Sequence, residues 1–432
     1  MENKSWAVDV REEVERMSLS DEEEMWKKRS IYRIPTWCAD LNRKAYKPQV
    51  ISFGPIHHGE AHLKPMEEHK RRALVHFLKR TDKPIDIYRD ALAKVVQQLM
   101  DSYEQLDEEW RDSEKFLQLM ILDGCFMLEM LYKAHGMTDN YAFSDPIFSY
   151  HGKVHNMPFI RRDMLMIENQ IPLLVLEKLI AVEKGEDNNE EFIHKLILKF
   201  CILNAKPMKM GLGLHVLDVV RKSMLQIRHP RPSSSTPPIP SLPSFPTHPS
   251  TGEIVRSAWE LYEAGIRFKK SKTQSLKDVK FRDGILRLPV VVVDDTTEST
   301  FLNLMAFERL HVGAGNEVTS YVCFMDNLID TGKDVSLLHS KGIIQNALGS
   351  DKDAAKLFNS LTKDATLEPD GNLDDVQRKV NDYCKKQWNK WRANLIHTYF
   401  RSPWAVISLI AAVFLLGLTV AQTVYSILPY YN

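Results

Sequence analysis

Apolar positions recur every three or four residues through most of the chain, which is the spacing of one buried helix face. Ile85, Tyr88, Leu92, Val95 and Leu99 follow it, and so do Phe192, Leu196 and Leu203 with the polar Lys199 between. Two stretches are more apolar all round: FLQLMILDGCFMLEMLY over 116–132 and DMLMIENQIPLLVLEKLI over 163–180. Their interior charges, Asp123, Glu129, Glu168 and Glu177, favour buried helices of a core over membrane spans, because a charge at a bilayer centre costs a few kcal/mol. Later, EIVRSAWELYEAGI predicts a helix, and ILRLPVVVVDD (285–295) has the β-branched run of a short buried strand. That strand hands over to a helix containing FLNLMAFERL, and further helices are expected to begin at Asp334 and Asp351. The fold class expected is mostly α, with a short β element near 285–295 and one C-terminal transmembrane helix.

The C-terminal expectation rests on residues 404–428, which contain no charged side chain. As a helix they would rise about 37 Å, enough for a hydrocarbon core of about 30 Å. Trp404 at one end and Tyr425 at the other would lie at the interfaces. Gly417 and Ala421, like Ser408 and Ala412, have the small-xxx-small spacing suited to a homodimer contact. Lys385, Lys386, Lys390, Arg392 and Arg401 precede the segment and no charge follows it, so the positive-inside rule puts the N-terminal part in the cytosol. The expected location is the plasma membrane or endoplasmic reticulum, with the lipid bilayer as partner of residues 403–428. Leu373, Val376, Val380, Tyr383, Gln387, Trp391 and Leu395 form the stripe of an amphipathic helix that leads to Pro403.

Proline divides the rest. Residues 229–250 hold 8 of the 21 prolines and six serines, and they read as a disordered or extended insertion. The expected organisation is an acidic, flexible 1–30, a helical core in two halves (31–228 and 251–371), an amphipathic 372–402, a span 403–428 and a short tail 429–432.

Composition narrows the classes. Among 432 residues, 57 basic side chains balance 57 acidic ones, so the chain has no basic surplus for general nucleic-acid binding. A mean hydropathy of −0.30 with 44% hydrophobic residues excludes a disordered chain and a multi-spanning transporter. The neutrality is a cancellation of blocks: residues 101–114 carry seven acidic and one basic side chain, residues 267–287 eight basic and two acidic, residues 378–401 seven basic and one acidic. The last block, and more weakly 267–287, are expected at the membrane surface. Cys38, Cys125, Cys201, Cys323 and Cys384 are odd in number and contain no C-x-x-C pair, which argues for buried thiols over disulfides or zinc.

The most reactive cluster is Gly54-Pro55-Ile56-His57-His58-Gly59-Glu60-Ala61-His62. His57, His58 and His62 are metal-capable, but Gly54, Pro55, Gly59 and Pro65 make the stretch a loop, so their spacing sets no common direction. A hydrogen-bonded structural loop is the expectation there, with no metal and no cofactor. Glu168 and Asp123 are expected to pair with Arg161 or Arg162. Cys125 lies in surroundings too apolar for an activated thiolate. Phosphate-loop, nucleophile-elbow, H-E-x-x-H and EF-hand signatures are missing from the sequence.

IYRIPTWCADLNRKAYKPQVISFGPIHHG, MEEHKRRALVHFL, LMILDGCFMLEML, DMLMIENQIPLLVLEKL, LMAFERL and YFRSPWAVISLIAAVFLLGLTVAQTVYSIL follow one another in order. Together they resemble the plant family called domain of unknown function 247, from about Ile31 to Tyr430. The resemblance implies a plant protein, a mostly helical single domain and a C-terminal membrane helix, and it implies no established enzymatic activity, cofactor or catalytic residue. The function expected is a membrane-tethered, non-enzymatic protein-interaction, recognition or signalling module. Two alternatives stay open: a hydrolase-like enzyme using the His57/His58 loop, and an endomembrane trafficking adaptor.

Overall fold

The computed structural model describes residues 14, 18–40, 42–186, 189–202, 211–226, 256–363, 372–386 and 403–431. The expected insertion at 229–250 and the basic positions Lys390, Arg392 and Arg401 lie outside the described residues.

The first half is a helical assembly. Short helices α1 (Leu19–Lys28), α2 (Thr36–Ala39) and α3 (Arg43–Tyr46) lead to α4 (Pro65–Thr81), α5 (Ile85–Ala93), α6 (Val96–Asp101) and α7 (Ser113–Ala134). α7 is the central element. Asp112 caps its start by accepting from the backbone N–H groups of Glu114 and Lys115 at 2.9 and 3.4 Å, and it then buries side chains on every face from Phe116 to Tyr132. The helix expected over 116–132 is therefore present and longer. α8 (Tyr150–His155), α9 (Met157–Asp163), α10 (Leu173–Lys184), α11 (Glu190–Cys201) and α12 (Val216–Leu225) complete this half. α4, α10 and α11 all pack on α7. Gly124 lets α10 approach, since a Cβ there would lie 2.7 Å from Leu179 Cδ1 and 2.8 Å from Val175 Cγ1.

The second half mixes helices with short strands. α13 (Ala258–Glu263) precedes β1 (Arg267–Lys270), β2 (Lys280–Arg282), β3 (Ile285–Leu288) and β4 (Val291–Val293). Then follow α14 (Thr297–Leu310), α15 (Glu317–Leu328), α16 (Gly332–Ser340), β5 (Ile344–Asn346), α17 (Asp351–Leu361), α18 (Asn372–Lys385) and α19 (Pro403–Tyr431). One sheet has the order β1-β3-β2, with β1 parallel and β2 antiparallel to β3; β4 pairs with β5 in parallel. Both halves feed one hydrophobic core. Arg221 of α12 adds a polar link between them, donating to Glu308 of α14 at 2.7 Å and to Glu317 of α15 at 2.7 Å.

Several expectations are corrected. The stretch 163–180 is not one helix: α9 ends at Asp163 and α10 begins after Pro172, whose ring disfavours helical geometry at Ile171. The periodic run from Ile85 to Leu99 breaks at Lys94–Val95 between α5 and α6. The β element at 285–295 is two strands, separated by Pro289, which carries no N–H for a ladder. α16 begins at a Thr331–Asp334 capping box, so Asp334 lies inside its helix, whereas α17 begins at Asp351 as expected, with Ser350 and not Asp351 as its cap. Within the acidic N-terminus, Leu19–Lys28 is helical.

The expected transmembrane helix is also overturned: no helix among the described residues is long and apolar enough to cross a membrane. α19 is helical throughout, but its uninterrupted apolar run, residues 409–418, rises only about 15 Å against a hydrocarbon core of about 30 Å. Ser408 and Thr419 bound that run, and Gln422, Thr423 and Ser426 follow. The hydroxyls of Thr419, Thr423 and Ser426 donate to carbonyls four residues back at 2.7–2.8 Å. Gly417 and Ala421 are exposed, whereas the side chains of Trp404 and Tyr425 lie outside the described set.

Candidate functional site

The loop 48–62 crosses the molecule between α4, α7 and the turn joining α9 to α10. It has no regular structure, so its backbone groups need partners from elsewhere. One oxygen of Asp163, Oδ2, accepts from the N–H groups of Gln49, Val50 and Ile51 at 3.0, 2.7 and 3.1 Å. Asn169 accepts from Phe53 N at 2.7 Å and donates to the carbonyls of Ile51 and Asp163. Asp123 Oδ2 takes the N–H of Gly54 at 2.8 Å. Gly54 itself sits at φ +73°, where a Cβ would lie 2.6 Å from the Gln170 carbonyl oxygen.

Beneath this loop lies a buried cation. Lys70 Nζ is 2.8 Å from Asp123 Oδ1 and 2.7 Å from Glu67 Oε1, and it donates to Ser52 Oγ at 3.2 Å. Lys70 and Asp123 have no exposure at all. Burial raises the Asp123 pKa, although the Lys70 charge opposes it. Burial likewise raises that of Asp163 against its three backbone N–H donors. The Ser52–Lys70 contact resembles the start of a nucleophile–base pair, but Lys70 Nζ is engaged by the carboxylates of Glu67 and Asp123, and Ser52 is itself buried and donates to Glu67 Oε1 at 3.3 Å.

His57 occupies the other end. Its Nδ1 is 2.7 Å from Glu60 Oε1 and its Nε2 is 3.1 Å from Glu168 Oε2, with the ring 4% exposed. Burial works against protonation, but the hydrogen bonds to Glu168 and Glu60 outweigh it and raise the His57 pKa. The same contact with His57 lowers that of Glu60 despite burial. Glu168 Oε1 also accepts from Ile34 N at 2.7 Å, which ties loop 48–62 to the chain before α2.

The three histidines do not converge. His58 stands edge-on to Trp110 at 5.2 Å, and His62 Nε2 donates to the Pro48 carbonyl at 3.0 Å. No group of three metal-capable side chains comes together among the described residues. The expected pairing of Asp123 and Glu168 with Arg161 or Arg162 is corrected, because Lys70 and His57 take those carboxylates. Arg161 instead stacks over Phe200 at 5.2 Å, and Arg162 donates to the Lys44 carbonyl at 2.9 Å. Sequence reasoning missed Lys70; its one local signal was Glu67, one turn earlier on α4. Burial pushes the Cys125 thiol far up, that of Cys201 to about 12 and that of Cys323 to about 11, so none of these is an activated nucleophile.

Glu67 connects this interior to the surface. It lines a groove of about 570 Å³ between α4, α5 and α7. The apolar parts are Leu74, Ile85, Ile121 and Leu122, and Arg71, Asp86, Arg89 and Glu114 stand around them. Charges of both signs around an apolar floor suit a peptide segment carrying an aliphatic residue between charged ones.

The family model DUF247, plant protein of unknown function, matches residues 31–418. The chain is 34% identical over 420 residues to the UPF0481 protein At3g47200 of Arabidopsis thaliana, a match covering 93% of this chain and 87% of that protein. A second UPF0481 protein of Arabidopsis thaliana, At3g02645, is 32% identical over 170 residues, or 39% of this chain and 32% of that one. No solved structure matches.

Proposed function

This chain belongs to the plant family DUF247, and from that premise we propose that it is a non-enzymatic protein-interaction module that receives a partner's peptide segment in the groove between α4, α5 and α7. The observation that carries the reading is that groove, with its apolar floor and mixed-charge rim beside a polar interior whose reactive groups are already engaged. Lys70 is neutralised by two carboxylates, both nitrogens of His57 are bonded, and Ser52 is buried, so the hub holds the groove's wall in place through Glu67. The hydrolase alternative needs an open base beside a free nucleophile, whereas His57 has both nitrogens bonded and His58 stands edge-on to Trp110 with its Nδ1 4.0 Å from Glu67 Oε2.

Selection of random peptides displayed on phage against the full chain tests the reading. Selected peptides should share an aliphatic residue flanked by charges and should lose at least about tenfold in affinity to Leu122→Arg, since one charge enters an apolar contact. Peptides whose binding is indifferent to Leu122→Arg and to Leu74→Glu would place the partner elsewhere.

A further inference from the structure

The sheet β1-β3-β2 has one face in the core and one in solvent. Phe268, Leu286 and Phe281 lie in register across its three strands, and Phe281 packs against the Tyr383 ring of α18 at 5.6 Å. Alternation of side chains places Arg267, Lys269, Ile285, Arg287, Lys280 and Arg282 on the opposite face. There Lys269 opposes Arg287, which opposes Lys280, and Ile285 lies between Arg267 and Arg282. Four of the cations are exposed and Arg287 is half-buried. This face carries five cations and no acidic residue.

Neighbouring acids neutralise only part of it. Lys280 pairs with Asp278 at 2.7 Å and Arg282 with Asp283 at 3.3 Å. Arg267, Lys269 and Arg287 have no carboxylate partner among the described residues. Like charges directly across a sheet are destabilising. Lysines on edge strands have an ordinary purpose, which is to stop the edge from pairing with another chain. That accounts for β1 and β2, but not for Arg287 in the middle strand with a cation on either side.

We propose that this face docks peripherally on an anionic lipid surface. The backbone positions that carry the cations form a lattice about 4.8 Å apart between strands and about 6.8 Å apart along them. Lipid head groups move laterally and can gather under a fixed lattice of this kind, and each basic side chain near such a surface adds to the attraction. Nucleic acid fits less well, because the face has no aromatic ring on which a base could stack and the whole chain has no net charge. The docking needs no helix that crosses the bilayer.

Sedimentation of the full chain with phosphatidylcholine vesicles, alone or containing about one-third phosphatidylserine, tests this. The anionic vesicles should bind at least about tenfold more tightly, and molar salt should remove the difference. Lys269→Glu with Arg287→Glu should remove it too, as should Arg267→Glu with Arg282→Glu, while binding to neutral vesicles stays unchanged. Lys269→Arg with Arg287→Lys should keep the preference. Equal binding of the unmodified chain to both vesicles overturns the proposal. So does an anionic preference that survives both charge reversals in variants with native circular dichroism. A polyglutamate peptide that binds the chain more tightly than the anionic vesicles do overturns it in favour of an acidic protein partner.

Discussion

Lys70 and Asp123 form an ion pair of 2.8 Å from which water is wholly excluded. Desolvating both groups is costly, and the pair is held because Glu67, Ser52 and the Gly54 N–H satisfy what remains. Its place explains its value to the fold: it links α4 to α7 and fixes loop 48–62 over both.

Removing one partner leaves the other charge buried alone. Lys70→Met should lower the unfolding free energy by about 3–5 kcal/mol, and Lys70→Met with Asp123→Asn by much less, because no charge then remains at the fully buried position and the Glu67 carboxylate is partly open to solvent. Urea denaturation of the single and double variants measures the coupling. Additive losses would show that the two groups do not interact.

His57 gives the stability a pH dependence of known sign. Its folded pKa is raised above the unfolded value of about 6.5, so its contribution is fully present below that value. The contribution is lost as pH rises through the folded pKa. The difference in urea midpoint between the wild-type chain and His57→Gln should therefore shrink between slightly acidic and alkaline pH. A difference that grows with pH would mean that the ring is neutral in the folded state.

Local patterns made some of this legible and non-local ones did not. The α7 helix follows from its apolar run and the Asp112 cap, and the loop at 54–62 from its glycines and prolines, all within a few residues of the element concerned. The break at 164–172 is harder to read, because MLMIENQIP is apolar enough for a helix. What holds it open is Asn169 and Gln170, whose amides bond the backbone of Ile51, Asp163, Met164 and Met166. The partners of Asp123 and Glu168 come from α4 and from a loop 111 positions away, where chain spacing carries no information. Arg161 and Arg162 were the near choice in sequence, and packing turned them elsewhere.

Gly54 tests how tightly the loop is held. Gly54→Ala puts a methyl group 2.6 Å from the Gln170 carbonyl oxygen and 2.8 Å from the Tyr103 hydroxyl, at a φ that alanine disfavours. The loss should be about 2–4 kcal/mol, more than the strain of φ alone, since the clash is with backbone. Thermal unfolding checks it. A change under about 1 kcal/mol would show that the loop can move away from Gln170.

The junction between the halves supplies the last prediction. α12 and α14 lie on either side of residues 227–255, yet Arg221 donates to Glu308 at 2.9 and 2.7 Å from two nitrogens, and Glu308 accepts from Val318 N and Thr319 N besides. The same boundary is crossed by apolar packing, since α12 meets α15 and both halves contribute to one core. A covalent connection is thus not what keeps them together. With a protease site engineered after Ser241, cleavage should yield two fragments that co-elute in gel filtration at native size and separate only in denaturant. Glu308→Ala leaves the Arg221 guanidinium with Glu317 and the Ala314 carbonyl, and should lower the urea midpoint of the cleaved and the intact chain alike, while cleavage alone lowers the midpoint by adding the entropy of two separate chains to the unfolded state. Fragments that part without denaturant would show that the halves are two domains and that the Arg221 contact is incidental.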